Sequence, residues 1–600
     1  MPRARAFFPL AAPVLVLAAA CGHGTSSGGS SSSGASDCTS SGLADPPASP
    51  RHTPRWAFEP WISKDISTGP DTYDFVGGFQ SRDIPVGVVV LDSPWETSYA
   101  TFVPNETRYP HFAQMVSDLH ARGVRVVLWT TQMVNQSSFD LEPGGDRYDG
   151  ASPNFDEGQR CNYFTDQGAT SPWWKGSGAA LDFFSGPARA WWHAQQKPLL
   201  EMGVDGWKLD FGESYITSDP IGTAAGARSL QDYSQAYYAD FLAYGRVVRG
   251  PDFLTMTRAW DESYGFTGRF YAKKEDSPVA WAGDNRRDFV GLADALDTMF
   301  RSARAGYAAV GSDIGGYLDK DDKNLLGPTI PFSQTVFARW TAVGALTPLM
   351  QLHGRGNYSP WTVPERPEET VLLYQKWAKL HHELVPFLYS ATEESYANGA
   401  VPVVAPIGDD PREKAPGWLG DFRYVLGGAF LVAPIMDDTG KRDVALPAGD
   451  AWYDWWKPAA DALPGGQTIA AYDATDRSIV PLLVRQGAIV PMASEIRMWP
   501  SSRASRFVLH DTDDATTTLG AALAGTVATV GLSRTLSPTV LRVRTDAPAT
   551  KVSLGGAPLV QAQTRAELDA AASGWLASPS DRSVVVKVPA APGATSLTVE

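Results

Sequence analysis

The segment "GVDGWKLDFGE" at residues 203–213 is the most informative stretch of this sequence. Val204, Trp207 and Leu209 indicate a buried strand, yet this strand carries Lys208 and ends at Asp210. Because burying an isolated charge is costly, such groups are either paired with an opposite charge or used in chemistry. A paired structural aspartate explains this segment as well as a catalytic aspartate does, so the flanking sequence must decide.

Short apolar runs alternate with helical patterns from about residue 56 to 395. Eight strands are predicted, at 86–92, 124–130, 179–184, 204–210, 253–260, 279–284, 308–316 and 346–354. Apolar strands separated by helices are typical of a parallel sheet covered on both faces. Eight of them predict an α/β fold, a (β/α)₈ TIM barrel, at residues 55–395. Insertions near 135–178, 214–230 and 261–278 follow strands, on the side where such barrels build active sites.

After about residue 395 the pattern changes to short strand-like runs between turn signals, and helical patterns become scarce. This pattern of short strands and turns is typical of antiparallel β-sandwiches. We therefore predict a proximal β-sandwich at 396–497 and a distal β-domain at 498–600.

The first 21 residues, "MPRARAFFPLAAPVLVLAAAC", have the layout of a secretory signal and are too short to span a membrane. Residues 18–21 resemble the cleavage box of bacterial lipoproteins, which would place a lipid on Cys21. The Gly/Ser-rich segment 22–54 then forms a flexible tether. We expect a lipoprotein of the bacterial cell envelope or a secreted protein. A disulfide between Cys38 and Cys161 would suit an oxidising compartment, but two cysteines do not establish it.

The composition excludes some partners. The net charge is −15 and no basic block stands out, which argues against nucleic acid. No Cys or His pattern predicts a metal site, so we expect neither metal nor cofactor. Membrane contact is expected only through the lipid. The many aromatic residues suit stacking on sugars, although buried aromatic residues explain them equally well.

Polar side chains gather at the carboxyl ends of the predicted strands, which is the catalytic face of a TIM barrel. They are Asp92, Trp129, Lys208, Asp210, Arg258, Asp284, Asp313 and His353. Because these strand ends converge on one site, a catalytic role for Asp210 is favoured over a structural one.

Two carboxylates at facing strand ends suit glycoside hydrolysis, in which one attacks the anomeric carbon and the other protonates the leaving oxygen. Lys208 lies on the same strand face as Asp210 and would keep that carboxylate ionised. Asp284 follows Trp281, whose indole would help keep this second carboxyl protonated.

These segments together resemble glycoside hydrolase family 31, the retaining α-glycosidases. "DGWKLDFGE" is similar to the family's nucleophile segment and "WAGDN" to its acid/base segment. "GSDIGGY", "FARWTAVGALTPLMQLHG", "WAFEPWISKD" and "FLVAPIM" resemble other segments of the family, in order over about residues 55–495. The resemblance implies that Asp210 is the nucleophile and Asp284 the acid/base. It also implies a pocket for the non-reducing sugar lined by Asp92, Trp129, Lys208, Arg258, Trp281, Asp313 and His353.

The sequence departs from the family pattern in two ways. Most members carry a β-sandwich ahead of the barrel, and we expect none here. In addition, Pro94 stands where the α-glucosidases of the family have a second carboxylate that holds a substrate hydroxyl, and losing that group penalises the usual glucoside. The form with Lys208 occurs in the α-xylosidase- and α-galactosidase-like branches. We therefore expect a hydrolase of terminal α-linked sugars that is not a typical maltase.

Three other functions remain open. An α-transglycosylase would share every residue above, and a non-catalytic glycan-binding lipoprotein would be expected to lose a catalytic carboxylate. A magnesium-dependent barrel enzyme would favour ligands on consecutive strands, which Asp210, Asp284 and Asp313 do not provide. We expect Glu213 to support the site through hydrogen bonds, and Asp261 and Glu262 to be solvated loop charges. The oligomeric state is left open.

Overall fold

Eight parallel strands close into a barrel in the computed structural model, which describes residues 38–39, 51–139, 151–399, 401–408 and 416–600. They are β1 (Trp61–Lys64), β2 (Val88–Leu91), β3 (Arg125–Thr130), β4 (Gly206–Leu209), β5 (Leu254–Arg258), β6 (Val279–Trp281), β7 (Val310–Asp313) and β8 (Leu349–Leu352). Each strand pairs with its neighbour in the chain, and β8 pairs back onto β1. The predicted TIM barrel followed by antiparallel sheets is confirmed.

The barrel begins one strand earlier than the sequence pattern predicted. The strand Trp61–Lys64 was missed, and the strand expected at 179–184 is not part of the barrel. Instead, Gly176–Ala180 forms an antiparallel sheet with Met133–Ser138 and Thr170–Trp173 in the insertion after β3. One barrel strand was missed and one other strand was wrongly included, so the predicted total of eight is unchanged. The predicted strands from 204–210 onward therefore keep their places in the barrel.

The helices alternate with the strands, and several begin at a residue whose side chain caps the first turn. They are α1 (Gly69–Gln80), α2 (Phe112–Ala121), α3 (Phe155–Arg160), α4 (Gly186–Glu201), α5 (Leu230–Arg249), α6 (Phe289–Arg304), α7 (Gln334–Ala345), α8 (Pro367–Asn398) and, near the carboxyl terminus, α9 (Arg565–Ala570). Ser185, Asp288 and Ser333 accept hydrogen bonds from backbone amides of the first turns of α4, α6 and α7. These caps hold the helix starts at the same barrel end as the site described below.

Two smaller insertions also rise from the carboxyl ends of barrel strands. A hairpin of Ile221–Thr223 and Gly226–Arg228 follows β4, and a ribbon of Trp260–Asp261 and Arg269–Phe270 follows β5. These insertions and the three-stranded sheet after β3 surround the barrel mouth.

The described residues after the barrel form four sheets. The first contains Val404–Pro406, Tyr424–Leu426, Phe430–Val432, Leu482–Arg485 and Trp452–Asp454, and Lys441–Ala445 pairs separately with Thr468–Asp473. The third sheet contains Ile489–Pro491, Ile496–Met498, Thr539–Arg544, Ser583–Val588 and Gly574–Ser578. The fourth contains Ser505–His510, Thr516–Ala524, Val527–Leu532, Thr595–Val599, Val552–Leu554 and Ala557–Pro558. The boundaries at 395 and 497 stay predictions. Helix α8 runs to Asn398, and Ile496–Met498 pairs with Thr539–Arg544.

The predicted signal and lipid attachment site, and most of the tether, lie outside the described residues. Residues Thr39–Glu600 form one compact unit, and of Met1–Cys38 only Cys38 is described. Cys161 is disulfide-bonded, as is Cys38. Within the described ranges, no helix has both the length and the apolar character needed to cross a bilayer.

Candidate active site

Asp210 follows β4 at the barrel mouth, and donors surround its carboxylate. Its Oδ1 accepts hydrogen bonds from Arg258 Nε at 3.1 Å, Arg258 Nη2 at 2.9 Å and the Phe211 amide at 2.9 Å. Its Oδ2 accepts one from Trp129 Nε1 at 3.1 Å. Burial would raise the pKa of Asp210, but Arg258 and Lys208 outweigh it and lower the pKa below its ordinary value. The group is therefore ionised and suited to nucleophilic attack.

Asp284 follows β6, and its environment has the opposite effect. Its Oδ1 accepts a hydrogen bond from Arg258 Nη2 at 3.3 Å, and its Oδ2 accepts one from the Tyr264 hydroxyl at 2.9 Å. Burial raises its pKa, Arg258 lowers it and the Asp210 charge raises it again, with a result of about 6. A carboxyl with such a pKa can serve as an acid in one step and as a base in the next.

The two carboxyls share one guanidinium nitrogen, which limits their separation. Since Arg258 Nη2 bonds both Oδ1 atoms, these lie within about 6 Å of each other. Retaining glycosidases place the two groups about 5–5.5 Å apart, whereas inverting enzymes need about 6.5–9.5 Å to seat a water. The geometry is compatible with the retaining arrangement.

Arg258 itself is completely buried and held from behind by Asp261, whose Oδ2 accepts a hydrogen bond from Nη1. Its guanidinium carbon lies 3.8 Å from the Phe211 ring centre and 4.6 Å from that of Trp281. The expectation that Asp261 is a solvated loop charge was therefore wrong, because this side chain is buried and paired. Its neighbour Glu262 is exposed.

Gly283 allows Asp261 to approach the chain just before Asp284. Its φ of +76° lies in the left-handed region, and a Cβ there would lie 2.5 Å from Ser263 Oγ and 2.7 Å from Asp261 Oδ2. A larger residue would displace the Asp261 carboxylate from Arg258.

A second polar cluster lies beside Asp210 and Asp284, at the ends of β1, β2, β4, β7 and β8. Lys208 Nζ donates to Asp92 Oδ2 at 2.8 Å and lies 3.3 Å from His353 Nδ1. His353 Nε2 is 2.8 Å from Asp65 Oδ1, and Nδ1 is 3.6 Å from Asp313 Oδ2. Asp313 also accepts a hydrogen bond from Gln351, at 2.5 Å.

This cluster balances two adjacent cations against three carboxylates. Burial would lower the pKa of Lys208, but Asp92, Asp313 and Asp210 outweigh it and raise it above its ordinary value. Burial and Lys208 would lower the pKa of His353, but Asp65 and Asp313 raise it to about 10. Both side chains are therefore charged near neutral pH, and the cluster offers donors and acceptors to several sugar hydroxyls.

Asp65, Asp92 and His353 lie close enough together to bind a metal ion. The Lys208 ammonium, however, bonds Asp92 at 2.8 Å and lies 3.3 Å from His353 Nδ1, so a fixed positive charge is already next to two of the three candidate ligands. The cluster does not fit a metal centre, which disfavours the magnesium-dependent alternative.

Four partly exposed aromatic side chains form a wall beside the catalytic pair: Trp174, Tyr215, Tyr264 and Phe266. All four pack on Phe211, the residue after Asp210, with ring-centre distances of 5.6–6.3 Å. Because Tyr264 also bonds Asp284, this aromatic wall lies on the Asp284 side of the two carboxyls.

The structure brings all nine predicted side chains to one end of the barrel. Trp281 lies under Arg258 and 5.3 Å from Lys208 Nζ, which connects the two clusters. Glu213 is buried behind this layer, where it accepts hydrogen bonds from Ser234 at 2.6 Å and Arg269 at 3.4 Å.

Sequence reasoning missed several residues of the site. They are Asp65, Asp261, Tyr264, Tyr317 and the wall residue Trp174. Asp65 directly follows β1, so recognising "WISK" as a strand would have found it. Tyr317, which donates to Asp65 Oδ2 at 2.7 Å, lies in a loop and had no such signal.

Comparisons with known proteins identify the family of this chain. The model described as "Glycosyl hydrolases family 31 TIM-barrel domain" matches residues 50–391, and "Glycosyl hydrolase family 31 C-terminal domain" matches residues 400–490. Alpha-glucosidase 2 of Bacillus thermoamyloliquefaciens is 26% identical over 73% of this chain, and an alpha-xylosidase of Emericella nidulans is 25% identical over 74%. The chain covers only 53% and 54% of these two relatives.

Among solved structures, a cycloalternan-forming enzyme from Listeria monocytogenes in complex with pentasaccharide substrate shares the fold, with a TM-score of 0.77 and 21% identity. The match covers 91% of this chain and 54% of that enzyme.

Proposed function

The chain belongs to glycosyl hydrolase family 31, and on that basis we propose that it is a retaining α-glycosidase acting on terminal, non-reducing α-linked sugars. The observation that carries this proposal is the pair Asp210 and Asp284, which share Arg258 Nη2 but differ in the direction of their pKa shifts. The carboxyl of Asp210 is ionised, and the raised pKa of Asp284 lets that carboxyl carry a proton, as a double displacement requires.

The reaction proceeds in two inversions. Asp210 attacks the anomeric carbon while Asp284 gives its proton to the departing glycosidic oxygen, so that a β-linked glycosyl-enzyme forms and the C–O bond to the leaving group breaks. Asp284, now ionised, takes a proton from water as that water attacks the same carbon and releases Asp210. The product keeps the α configuration.

The charge of the site favours a neutral sugar. Asp65, Asp92, Asp210 and Asp313 outnumber the cations Lys208, Arg258 and His353, and Asp261 adds a further negative charge behind Arg258. A carboxylated or sulfonated sugar would meet net repulsion. With Pro94 replacing the carboxylate of typical α-glucosidases, we propose an α-xylosidase- or α-galactosidase-like specificity.

An α-transglycosylase is the second candidate. The aromatic wall supports a transglycosylase, because its partly exposed rings lie where the leaving group departs. A sugar stacked on these rings could attack the glycosyl-enzyme instead of water. A glycan-binding protein without activity is disfavoured, because both catalytic carboxyls are present with the required environments.

We also propose that the protein is exported and anchored by a lipid on Cys21. The signal-like residues 1–21 and the Gly/Ser-rich segment after them support this proposal. The disulfide-bonded state of Cys38 and Cys161 is consistent with an oxidising compartment.

The test of the proposed reaction is the stereochemistry of azide rescue, after a screen of aryl α-glycosides of glucose, xylose, galactose, N-acetylgalactosamine and sulfoquinovose. In Asp284→Ala, an activated aryl substrate should still form the glycosyl-enzyme because its leaving group needs no proton. The second step should stall, and azide should restore turnover with an α-glycosyl azide as product. In Asp210→Gly, azide should attack directly and give the β-azide.

Proton NMR of the isolated azides distinguishes these outcomes. An α-azide from Asp210→Gly, or a β-azide from Asp284→Ala, would reverse the assigned roles. A wild-type protein that cleaves none of the aryl α-glycosides would contradict the proposed activity itself.

A further inference from the structure

Tyr264 touches the proposed acid/base but has no part in the mechanism above. Its hydroxyl donates to Asp284 Oδ2 at 2.9 Å, and its ring stacks on Phe211 with ring centres 6.1 Å apart. Its backbone amide donates to Asp322 Oδ2 at 2.9 Å. The φ of Tyr264 is +58°, an uncommon conformation for a large side chain. Three separate contacts therefore hold a costly backbone geometry, which points to a defined position for the hydroxyl.

The contacts of Asp284 indicate which of its oxygens carries the proton. Arg258 is always charged, and its Nη2 donates to Oδ1. A protonated oxygen is a weaker acceptor than a carbonyl oxygen, so the proton is favoured on Oδ2, beside the Tyr264 hydroxyl. That hydroxyl can rotate, because a phenol both donates and accepts hydrogen bonds.

Resting on the function proposed above, we propose that Tyr264 is a positioning residue that changes its hydrogen-bonding role between the two halves of the reaction. It accepts a hydrogen bond from the protonated carboxyl of Asp284 in the free enzyme, and this O–H turns to the glycosidic oxygen when the substrate binds. It donates to the carboxylate once the proton has passed to the leaving oxygen. In the second step the proton of the attacking water returns to Oδ2, and the hydroxyl becomes an acceptor again.

Other groups also act on Asp284, and a test must separate Tyr264 from them. The charged and titratable groups that face Asp284 are Arg258, Asp210, Lys208, Asp313, Tyr215 and Tyr264. Arg355 and Asp322 face Tyr264 itself. Replacing the Tyr264 hydroxyl alone leaves every other group in place.

The variant Tyr264→Phe removes the donor that stabilises ionised Asp284. The alkaline limb of the pH profile of kcat/KM for an unactivated α-glycoside should therefore move up by about one pH unit, the size expected for a hydrogen bond to a charged group. With a substrate whose leaving group needs no proton, kcat should fall about tenfold because the second step has a poorly placed base. Azide needs no base and should recover that loss.

Tyr271→Phe is the matched control, since Tyr271 packs on the same Phe211 while its hydroxyl contacts Ser214. It should keep the wild-type pH profile. A second variant, Asp322→Ala, removes the acceptor of the Tyr264 amide without altering the Tyr264 hydroxyl. It should move the alkaline limb of kcat/KM upward, by less than Tyr264→Phe does.

An unchanged limb in Tyr264→Phe, or a loss of kcat that azide does not recover, would overturn the proposal. If Tyr264→Phe does not fold, an unshifted limb in Asp322→Ala would overturn it as well. Failure of the proposed function is separate, because it would already appear in the wild type as absent cleavage or an inverted product.

Discussion

Arg258 makes two nearby aspartates chemically different by sharing its charge unequally. Asp210 receives two of its N–H groups, at 3.1 and 2.9 Å, whereas Asp284 receives one at 3.3 Å. Since a hydrogen bond from a cation stabilises a carboxylate, the better-bonded group ionises first and its charge then opposes ionisation of the other. The proposed roles of Asp210 as nucleophile and Asp284 as acid/base thus rest on one buried side chain.

This difference predicts an acidic optimum for kcat/KM. Activity requires Asp210 ionised and Asp284 protonated, so kcat/KM should fall above about pH 6, where Asp284 loses its proton. On the acid side it should fall only below the ordinary range of an aspartate, because the pKa of Asp210 is lowered. Initial rates with an unactivated α-glycoside, measured from well below the ordinary pKa of an aspartate up to about pH 9, cover both limbs.

A substrate with an activated leaving group provides the control for that profile. It needs no proton in the first step, so its alkaline limb should be weaker than that of the unactivated glycoside. Equal alkaline limbs for both substrates would show that the limb does not report Asp284 acting as an acid.

Single residues were predictable where a strand pattern gave their position. Asp210 and Asp284 follow apolar runs, so a barrel places them at its mouth. Asp261 follows β5 by only three residues and was expected to be solvated, because nothing in the sequence shows that the chain turns back under Arg258. Tyr264 was missed for a similar reason, since its position depends on an irregular backbone with positive φ.

At the scale of elements, the sequence predicted the barrel fold, but it did not show which apolar runs are barrel strands. "AALDFF" and the true barrel strands are similar short apolar runs, and periodicity cannot separate a barrel strand from a strand of an insertion. The run "WISK" is short and ends in charged residues, which hid β1. The alternation of strands and helices is repeated along the chain, so the barrel prediction survived both errors.

The insertion after β3 contributes Trp174 to the aromatic wall, and a substitution there should alter leaving-group binding. Trp174→Ala should lower kcat/KM about tenfold for substrates with an aryl or sugar leaving group, because a stacking surface worth roughly 1 kcal/mol or more is lost. The matching α-glycosyl fluoride has no ring on its leaving group and should change less than about twofold. Steady-state kinetics on the two substrate types measure the difference.

Trp361→Ala is a suitable control, since Trp361 is partly exposed but packs on Phe79 and Arg82. It should affect both substrate types equally. A uniform loss on both substrate types in Trp174→Ala would show that this side chain supports the fold of the insertion and does not contact the leaving group.

At the scale of the whole molecule, the carboxyl-terminal sheets brace the outer helices of the barrel. Phe507 stacks on Phe387 of α8 with ring centres 5.7 Å apart, and His510 Nε2 lies 2.8 Å from Glu394. Arg339 of α7 donates to the carbonyls of Ala474 and Ile479 at 2.6 and 2.9 Å. These contacts cover the side of the barrel formed by α7 and α8, the helices that flank β8 and its His353.

The proposed attachment of the protein to the cell depends on Cys21. If a lipid on Cys21 anchors the protein, the wild type should sediment with membranes and incorporate a labelled fatty acid, and Cys21→Ser should do neither. The double variant Cys38→Ser/Cys161→Ser is the control, because it removes the other two cysteines without removing the lipid site or leaving a free thiol, and it should stay with the membrane. Activity of the released Cys21→Ser protein should equal that of the wild type, since the site is built from residues beyond the tether. Membrane-bound Cys21→Ser, or a freely soluble wild type, would contradict the anchor.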